Sequence, residues 1–448
     1  MFYIAKETEL DALLLHKLIN RFTTEQQPKR QRWKNYYDGK HAILQKSYSD
    51  PSKPCNRIVT NYCKIVADTY NGYIVGKPVT YTSNNDIDEV QDVLNYNDTV
   101  NADMAFLHNA LVYGAAYELH WLDAAAQERY SQVSPLNAFA IHDNSLDNEL
   151  LYFVRWYKVD SFDDNDLMHV EVYDARSVKY YEGNGINGAL RLIEEKPHYF
   201  GDVPVTVFYL NEDEESIFNC VMGLNDAYNE LQSSEVDDFS AWVDAYLTLT
   251  GVDAEPDDIA SMKENRVLVL PTGAQAGWLV KNASDTQIVN MLGNIKENIF
   301  KVSACPDMAD DNFLAQSGTA LAYKLVGFEN VASTIVAGFT KALQRRIELI
   351  CNVLNLKASE AVWRDISINF VRNLPVNMAE AIQLVNALQG VVSDATLLAQ
   401  LPFIKDPQAE LEAVQKQKAA NMALYDFGGA EHQHEDDDEA AVEDEQAV

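Results

Sequence analysis

The apolar positions change period several times along the chain, and each change marks an element. Leu10, Leu13, Leu14, Leu18 and Phe22 recur at helical spacing and predict an amphipathic helix over Thr8–Phe22. A second helix is expected over Asp98–Tyr113, with Gly114 placed to stop it. Alternating patterns then predict strands at Tyr117–Trp121, Leu151–Tyr157, Val170–Tyr173 and Val205–Leu210, separated by turn-rich stretches such as Asp163–Asp166 and Gly183–Gly188. Together these describe a mixed α+β domain reaching to about Glu215.

The next stretch, Asn219–Leu249, reads as one long helix. At about 100° per residue, Glu230, Asp237 and Asp244 fall within roughly 40° of Asp226. Val221, Leu224, Tyr228, Leu231, Phe239, Trp242 and Tyr246 cluster on the opposite side, and Glu235 breaks the pattern. The four acids form a stripe about 27 Å long. Taken alone, such a stripe is the solvated face of an ordinary helix.

A compact insertion follows over 251–283, with a turn of helix near Pro256 beside Asp257 and Asp258. Its hairpin-like pair, Val267–Leu270 and Trp278–Val280, is joined through Pro271-Thr272-Gly273. Ser284 with Gln287 makes a capping box for a helix ending at Cys305-Pro306. The acidic segment Asp307, Asp310, Asp311, Asn312 then carries Phe313, Leu314 and Gln316 on a short loop, a poor core element. It runs into a helix over 318–354, about 55 Å long, with Gly327 and Gly338 as candidate bends. Residues Asn377–Tyr425 read as helical, with Ser393 and Asp406-Pro407 as helix starts. The tail from Gly428 is acidic, of low complexity, and expected to be disordered.

Composition narrows the function. The formal net charge is −33, and nine acids of the last eighteen residues leave an excess of about 24 in the body. Such a field repels nucleic-acid backbones and anionic membranes, so tight electrostatic DNA binding is not expected. The five scattered cysteines suit reduced thiols, and neither a signal peptide nor a membrane span is expected. The basic run Lys29, Arg30, Arg32 and Lys34 reads as a cationic face answering an acidic neighbour.

No catalytic set, metal site or cofactor site is apparent. Gly72–Pro78 is the nearest thing to a phosphate loop. It has three residues between its glycines where four are needed, and proline where Ser or Thr must hold magnesium, so it reads as strand and turn. Asp160–Asp166 lacks the glycine and terminal glutamate of a calcium loop, and Ser317-Gly318 has no nucleophile elbow around it. Adjacent carboxylates such as Asp310-Asp311 are expected by chance among 68 acids.

Several segments match a known family in order along the chain. They are NYYDGKHAIL (35–44), NRIVTNYCKIVADTYNGYIVGKPVTY (56–81), VYGAAYELHW (112–121), GLNDAYNELQS (223–233), SGTALAYKLVGFEN (317–330) and SDATLLAQLPFIKDPQAE (393–410). On these the sequence resembles the portal (head-to-tail connector) proteins of tailed double-stranded-DNA bacteriophages, of the siphophage type of Gram-positive hosts. The acidic tail and the NFLAQSG loop, where the family has glycines, depart from the pattern.

The resemblance implies a non-enzymatic subunit of a ring, typically dodecameric, at one capsid vertex of the virion, assembled in the host cytoplasm. It implies a wing over 1–215 with 355–375 returning to it, and stem helices within 216–250 and 284–305. A clip would occupy 251–283, a channel loop 306–317, a supporting helix 318–354 and a crown 376–427. Duplex DNA would pass without sequence recognition. Asp226, Glu230, Asp237 and Asp244 would face the channel, and Asp310, Asp311 and Asn312 would form its narrowest ring. Asp257, Asp258, Pro271, Thr272 and Trp278 would dock a separate packaging ATPase (terminase) and head-completion proteins. Major capsid and scaffolding proteins are further implied partners. The rival readings are a metal-dependent phage nuclease and a minor capsid or scaffolding protein.

Overall fold

Alternation of side chains along residues 115–209 builds two sheets that share a core. The computed structural model describes residues 1–51, 53–158, 167–185, 188–242, 247–251, 273–278, 285–309, 318–356, 362–373 and parts of 383–418. By contacts the chain divides into Met1–Asn373 and Leu374–Val448.

The larger sheet has six strands in the order β1 (Phe2–Ile4), β5 (Ala138–Asp143), β6 (Leu150–Lys158), β7 (Leu167–Tyr173), β8 (Ser177–Asn184) and β9 (Arg191–Pro197). It is antiparallel except for β1, which pairs parallel with β5. Its two faces follow from the period of two. Val154 and Trp156 lie under helix α1 (Ala12–Glu25), whose Leu15, Ile19 and Phe22 are fully buried. Phe22 stacks on Phe139 at 5.3 Å and meets Trp156 edge-on at 5.4 Å. Phe153 points to the other face, into a core shared with Tyr117, Leu119 and Val205 of the second sheet. That sheet has the order β10 (Val205–Tyr209), β3 (Ala115–Leu122), β4 (Glu128–Val133).

The expected strands are present, and Glu128–Val133, Ala138–Asp143, Ser177–Asn184 and Arg191–Pro197 add to them. Helix α5 (Thr99–Tyr113) ends at Gly114, whose φ of +77° and whose place against the Glu214 backbone, where a β-carbon would sit 2.0 Å from the carbonyl oxygen, both call for glycine. Arg30, in α2 (Gln27–Tyr37), turns inward, with Nη2 on Glu214 at 2.7 Å and Nη1 on the Pro135 carbonyl at 2.8 Å. Lys34 pairs with Asp38, so part of the basic run does answer acidic neighbours.

Two expectations are corrected. Gly72–Val75 is the last turn of helix α3 (Tyr62–Val75), because Val66, Ala67, Tyr70 and Ile74 recur at helical spacing and are fully buried. The long helix expected over Asn219–Leu249 is α6, Met222–Trp242, preceded by a 3₁₀ turn at Asn219–Val221. Leu247–Thr250 is a strand, β11, antiparallel to β12 (Gln275–Trp278) with Leu247 opposite Trp278. The β-branched and leucine run Leu247-Thr248-Leu249-Thr250 suits that pairing, and Val267–Leu270, the partner expected from the sequence, lies outside the described residues.

Helix α7 (Asp285–Val302) packs beside α6, and α8 (Gly318–Leu356) runs for 39 residues. The chain then returns, as β13 (Ser367–Asn369), to pair with β2 (Thr80–Thr82), next to α4 (Asp88–Tyr96). Arg346 of α8 is fully buried. Its Nε and Nη2 grip Glu118 of β3 at 2.7 and 2.9 Å, and Nη1 reaches Asp103 of α5. Burial raises the pKa of both carboxyls, while Arg346 favours their ionised forms. In the second unit, helix α9 (Asp394–Leu398) starts at Ser393, whose Oγ accepts Thr396 N–H. Asp406 and Pro407 lie outside the described residues.

Candidate functional site

Helix α6 carries the acids expected to face a channel, and its surroundings decide which of them are free to do so. One side of α6 is a buried polar row, Asn225, Asn229, Ser233 and Asp237, spaced four residues apart. Against it runs the segment Asn56–Tyr62, antiparallel to the helix. Tyr62 N–H donates to Asn225 Oδ1 at 3.1 Å and Thr60 N–H to Asn229 Oδ1 at 2.9 Å. Ile58 N–H donates to Ser233 Oγ at 3.0 Å, and Asn56 N–H to Asp237 Oδ1 at 2.5 Å. Asn225 Nδ2 returns a bond to the Thr60 carbonyl at 2.7 Å.

The match is geometric. Alternate amides of an extended chain recur every ~6.6 Å, and every fourth helical side chain every ~6 Å. Four side chains therefore satisfy four consecutive alternate amides, where a β-ladder would use a neighbouring strand. This also explains why amide and hydroxyl groups occupy a fully buried helix face.

Asp237 is the most heavily used of the four. Besides Asn56 N–H it accepts Asn56 Nδ2 at 2.8 Å, Lys46 Nζ at 3.2 Å and the Tyr48 hydroxyl at 3.2 Å. Burial would raise its pKa, but these donors outweigh that and hold the carboxyl below its ordinary value of 3.8. Burial likewise opposes the charge on Lys46, and Tyr48, Asp237 and Glu230 reverse the effect and raise its pKa. Asp237 is thus corrected from a channel-facing residue to a brace within the subunit. Asp226 is also engaged, accepting the Tyr36 hydroxyl at 2.7 Å. Glu230 is exposed, with Lys46 Nζ 3.4 Å away. Among the described acids of the stripe, Glu230 is the one that presents its carboxylate to solvent. Phe239, expected on the packed side, is 70% exposed.

Of the other singled-out residues, Asp307 pairs with Lys296 of α7 at 2.6 Å, tying the start of the acidic segment to that helix. An open cleft of about 440 Å³ lies there, lined by Gly293, Lys296, Phe300, Cys305, Asp307 and Gly327. Trp278 is placed through its backbone in β12. Asp244, Asp257, Asp258, Pro271, Thr272, Asp310, Asp311, Asn312, Phe313, Leu314 and Gln316 lie outside the described residues. Among the described residues no three His, Cys, Asp or Glu side chains are grouped to hold a metal, and no helix is long and apolar enough to cross a membrane.

The comparisons with known proteins bear on the whole chain. The family described as "Phage portal protein, SPP1 Gp6-like" matches residues 15–423. A "Portal protein" of Bacillus phage SPP1 is 24% identical over 483 residues, covering 98% of this chain and 94% of the relative. Two solved structures also align, "Neck of empty GTA particle computed with C6 symmetry" at TM-score 0.45 and 13% identity, and "Neck of native GTA particle computed with C12 symmetry" at 0.42 and 12%. Each alignment covers 76% of this chain and 88% of the other. The match over 15–423 takes in every strand of the two sheets but β1, together with the braced helix α6, α7 and α8, and the chain belongs to the phage portal protein family of the SPP1 Gp6-like type.

Proposed function

We propose that copies of this chain close into a ring, twelve by the count the family resemblance implies, at one vertex of a phage capsid. Double-stranded DNA passes through its centre during packaging and ejection. The observation that carries this reading is the family match over 15–423, and the acid excess of the body supplies its physics. DNA carries one negative charge per ~1.7 Å of axis. A lysine-lined channel would hold it, whereas an acidic lining repels it from every side within a Debye length of ~8 Å and keeps it centred.

On this reading Glu230 and Asp244 face the lumen from the stem, and Asp310, Asp311 and Asn312 form the narrowest ring. The clip, with Asp257, Asp258, Pro271, Thr272 and Trp278, receives the ATP-driven packaging motor and later the head-completion proteins. The crown and acidic tail face the capsid interior, and assembly with capsid and scaffolding proteins takes place in the host cytoplasm. DNA packaging into preformed capsids with Glu230→Lys portals tests the electrostatic part. The expected result is slowed or stalled packaging, and a wild-type rate would remove Glu230 from the mechanism.

A further inference from the structure

The segment that braces α6 runs directly into helix α3. Asn61 joins the two, its Oδ1 accepting Lys64 N–H at 3.0 Å while its amide donates to the Tyr37 carbonyl at 2.9 Å. At the junction Tyr62 meets Tyr228 of α6 and Phe300 of α7 edge-on, at 5.1 and 5.8 Å. Farther along, the Tyr70 hydroxyl donates to the Ser303 carbonyl, just past α7, at 2.9 Å. The rings of Tyr70 and Tyr73 lie 4.5 and 4.6 Å from Phe328 of α8.

The far end of α3 is also clamped. The Tyr73 hydroxyl donates to Glu329 of α8, and Arg372 Nη2 donates to the same carboxylate at 2.9 Å. Asn373 N–H donates to the Tyr73 carbonyl at 3.1 Å. A β-carbon on Gly76 would sit 2.1 Å from the Gly72 carbonyl oxygen, which calls for glycine at the end of α3, and 2.5 Å from Asn373 Nδ2, which packs against that same position.

We infer that residues 56–75 are a rigid coupler joining stem helix α6 to residues 366–373, the stretch that leads into 374–448. A displacement of α6 along its axis either breaks the row of side chain–amide bonds or carries the segment and α3 with it. Helix α3 in turn cannot shift without disturbing the Tyr73, Glu329 and Arg372 cluster. The two ends are thus linked through one stretch of chain, and coupling of this kind is reciprocal. All of these contacts lie within one subunit, whichever surfaces a ring turns to its lumen.

Hydrogen exchange on the full-length protein tests it, using one mild variant at each end. Ser233→Ala removes a rung of the brace, and Tyr73→Phe removes only the hydroxyl bound to Glu329. Ser233→Ala is expected to speed exchange at Ile58 and also at Ile366–Asn373, by about fivefold or more at Asn373. Tyr73→Phe is expected to speed exchange at Ile58, Thr60 and Tyr62. In both, the β6 and β7 amides keep wild-type rates. Acceleration confined to the mutated end would overturn the coupler. So would equal acceleration in β6 and β7, because the loosening would then be general.

Discussion

Ile58 and Ser233 lie 175 positions apart, and the backbone N–H of the first donates to the side-chain oxygen of the second at 3.0 Å. The bond is one rung of a row in which a helix supplies side chains to the backbone of an extended segment. A helix face that lends its polar groups to another part of its own subunit is no longer a free solvated surface. That single relationship changes which acids of α6 keep a carboxylate free of the subunit's own contacts.

Asn229 is the rung whose loss should be felt most. It is fully buried, accepts Thr60 N–H at 2.9 Å and contacts His41 Nδ1 at 3.1 Å. Asn229→Ala strands those groups without water, and unfolding in urea should show a loss of about 1–3 kcal/mol. Glu230→Gln, on the exposed neighbouring position, should stay within about 0.5 kcal/mol of wild type.

Asp237 gives the brace a pH dependence of known sign. Its folded pKa is depressed below 3.8, so its bonds stabilise the fold fully above about pH 4, and the contribution is lost as pH falls through the lowered value. Asp237→Asn should therefore be less stable than wild type at neutral pH, with the gap closing in acid. Urea midpoints at pH 7, 5 and 3 measure it, and a gap that stays constant down to pH 3 would contradict the assignment.

Arg346 is the corresponding anchor of the long helix. Truncation to Ala leaves Glu118 and Asp103 buried with their shared cation gone, a loss of about 3–5 kcal/mol. Arg346→Lys should recover little, because an ammonium cannot reproduce the paired Nε and Nη2 contacts to Glu118. Thermal unfolding of the two variants side by side checks both statements.

Strands β3, β6, β7 and β10 and helices α1 and α5 were legible because one-sided burial imposes a period on the sequence. The six-stranded sheet was only partly so. Arg191–Pro197 is an exposed edge strand with mixed charge, and carries no apolar alternation to read. Over Gly72–Pro78 the glycine spacing and Lys77-Pro78 read as strand and turn, whereas burial of Tyr70, Tyr73 and Ile74 holds Gly72–Val75 as the last turn of α3.

The polar face of α6 was legible as polar but not as buried. Asp226, Glu230 and Asp237 share one side of a helical wheel with Asn225, Asn229 and Ser233, and periodicity alone does not separate solvation from recognition of a backbone. The signal was present in the residue types. Asn, Asn, Ser and Asp at intervals of four are short hydrogen-bonding side chains, whereas a solvated stripe favours long charged ones.

Single-particle imaging of the purified full-length protein tests the central claim most directly. The account predicts closed rings with a central opening whose wall carries Glu230 and other carboxylates. Particles without a hole, or an inner wall crowded with lysine and arginine, would contradict it.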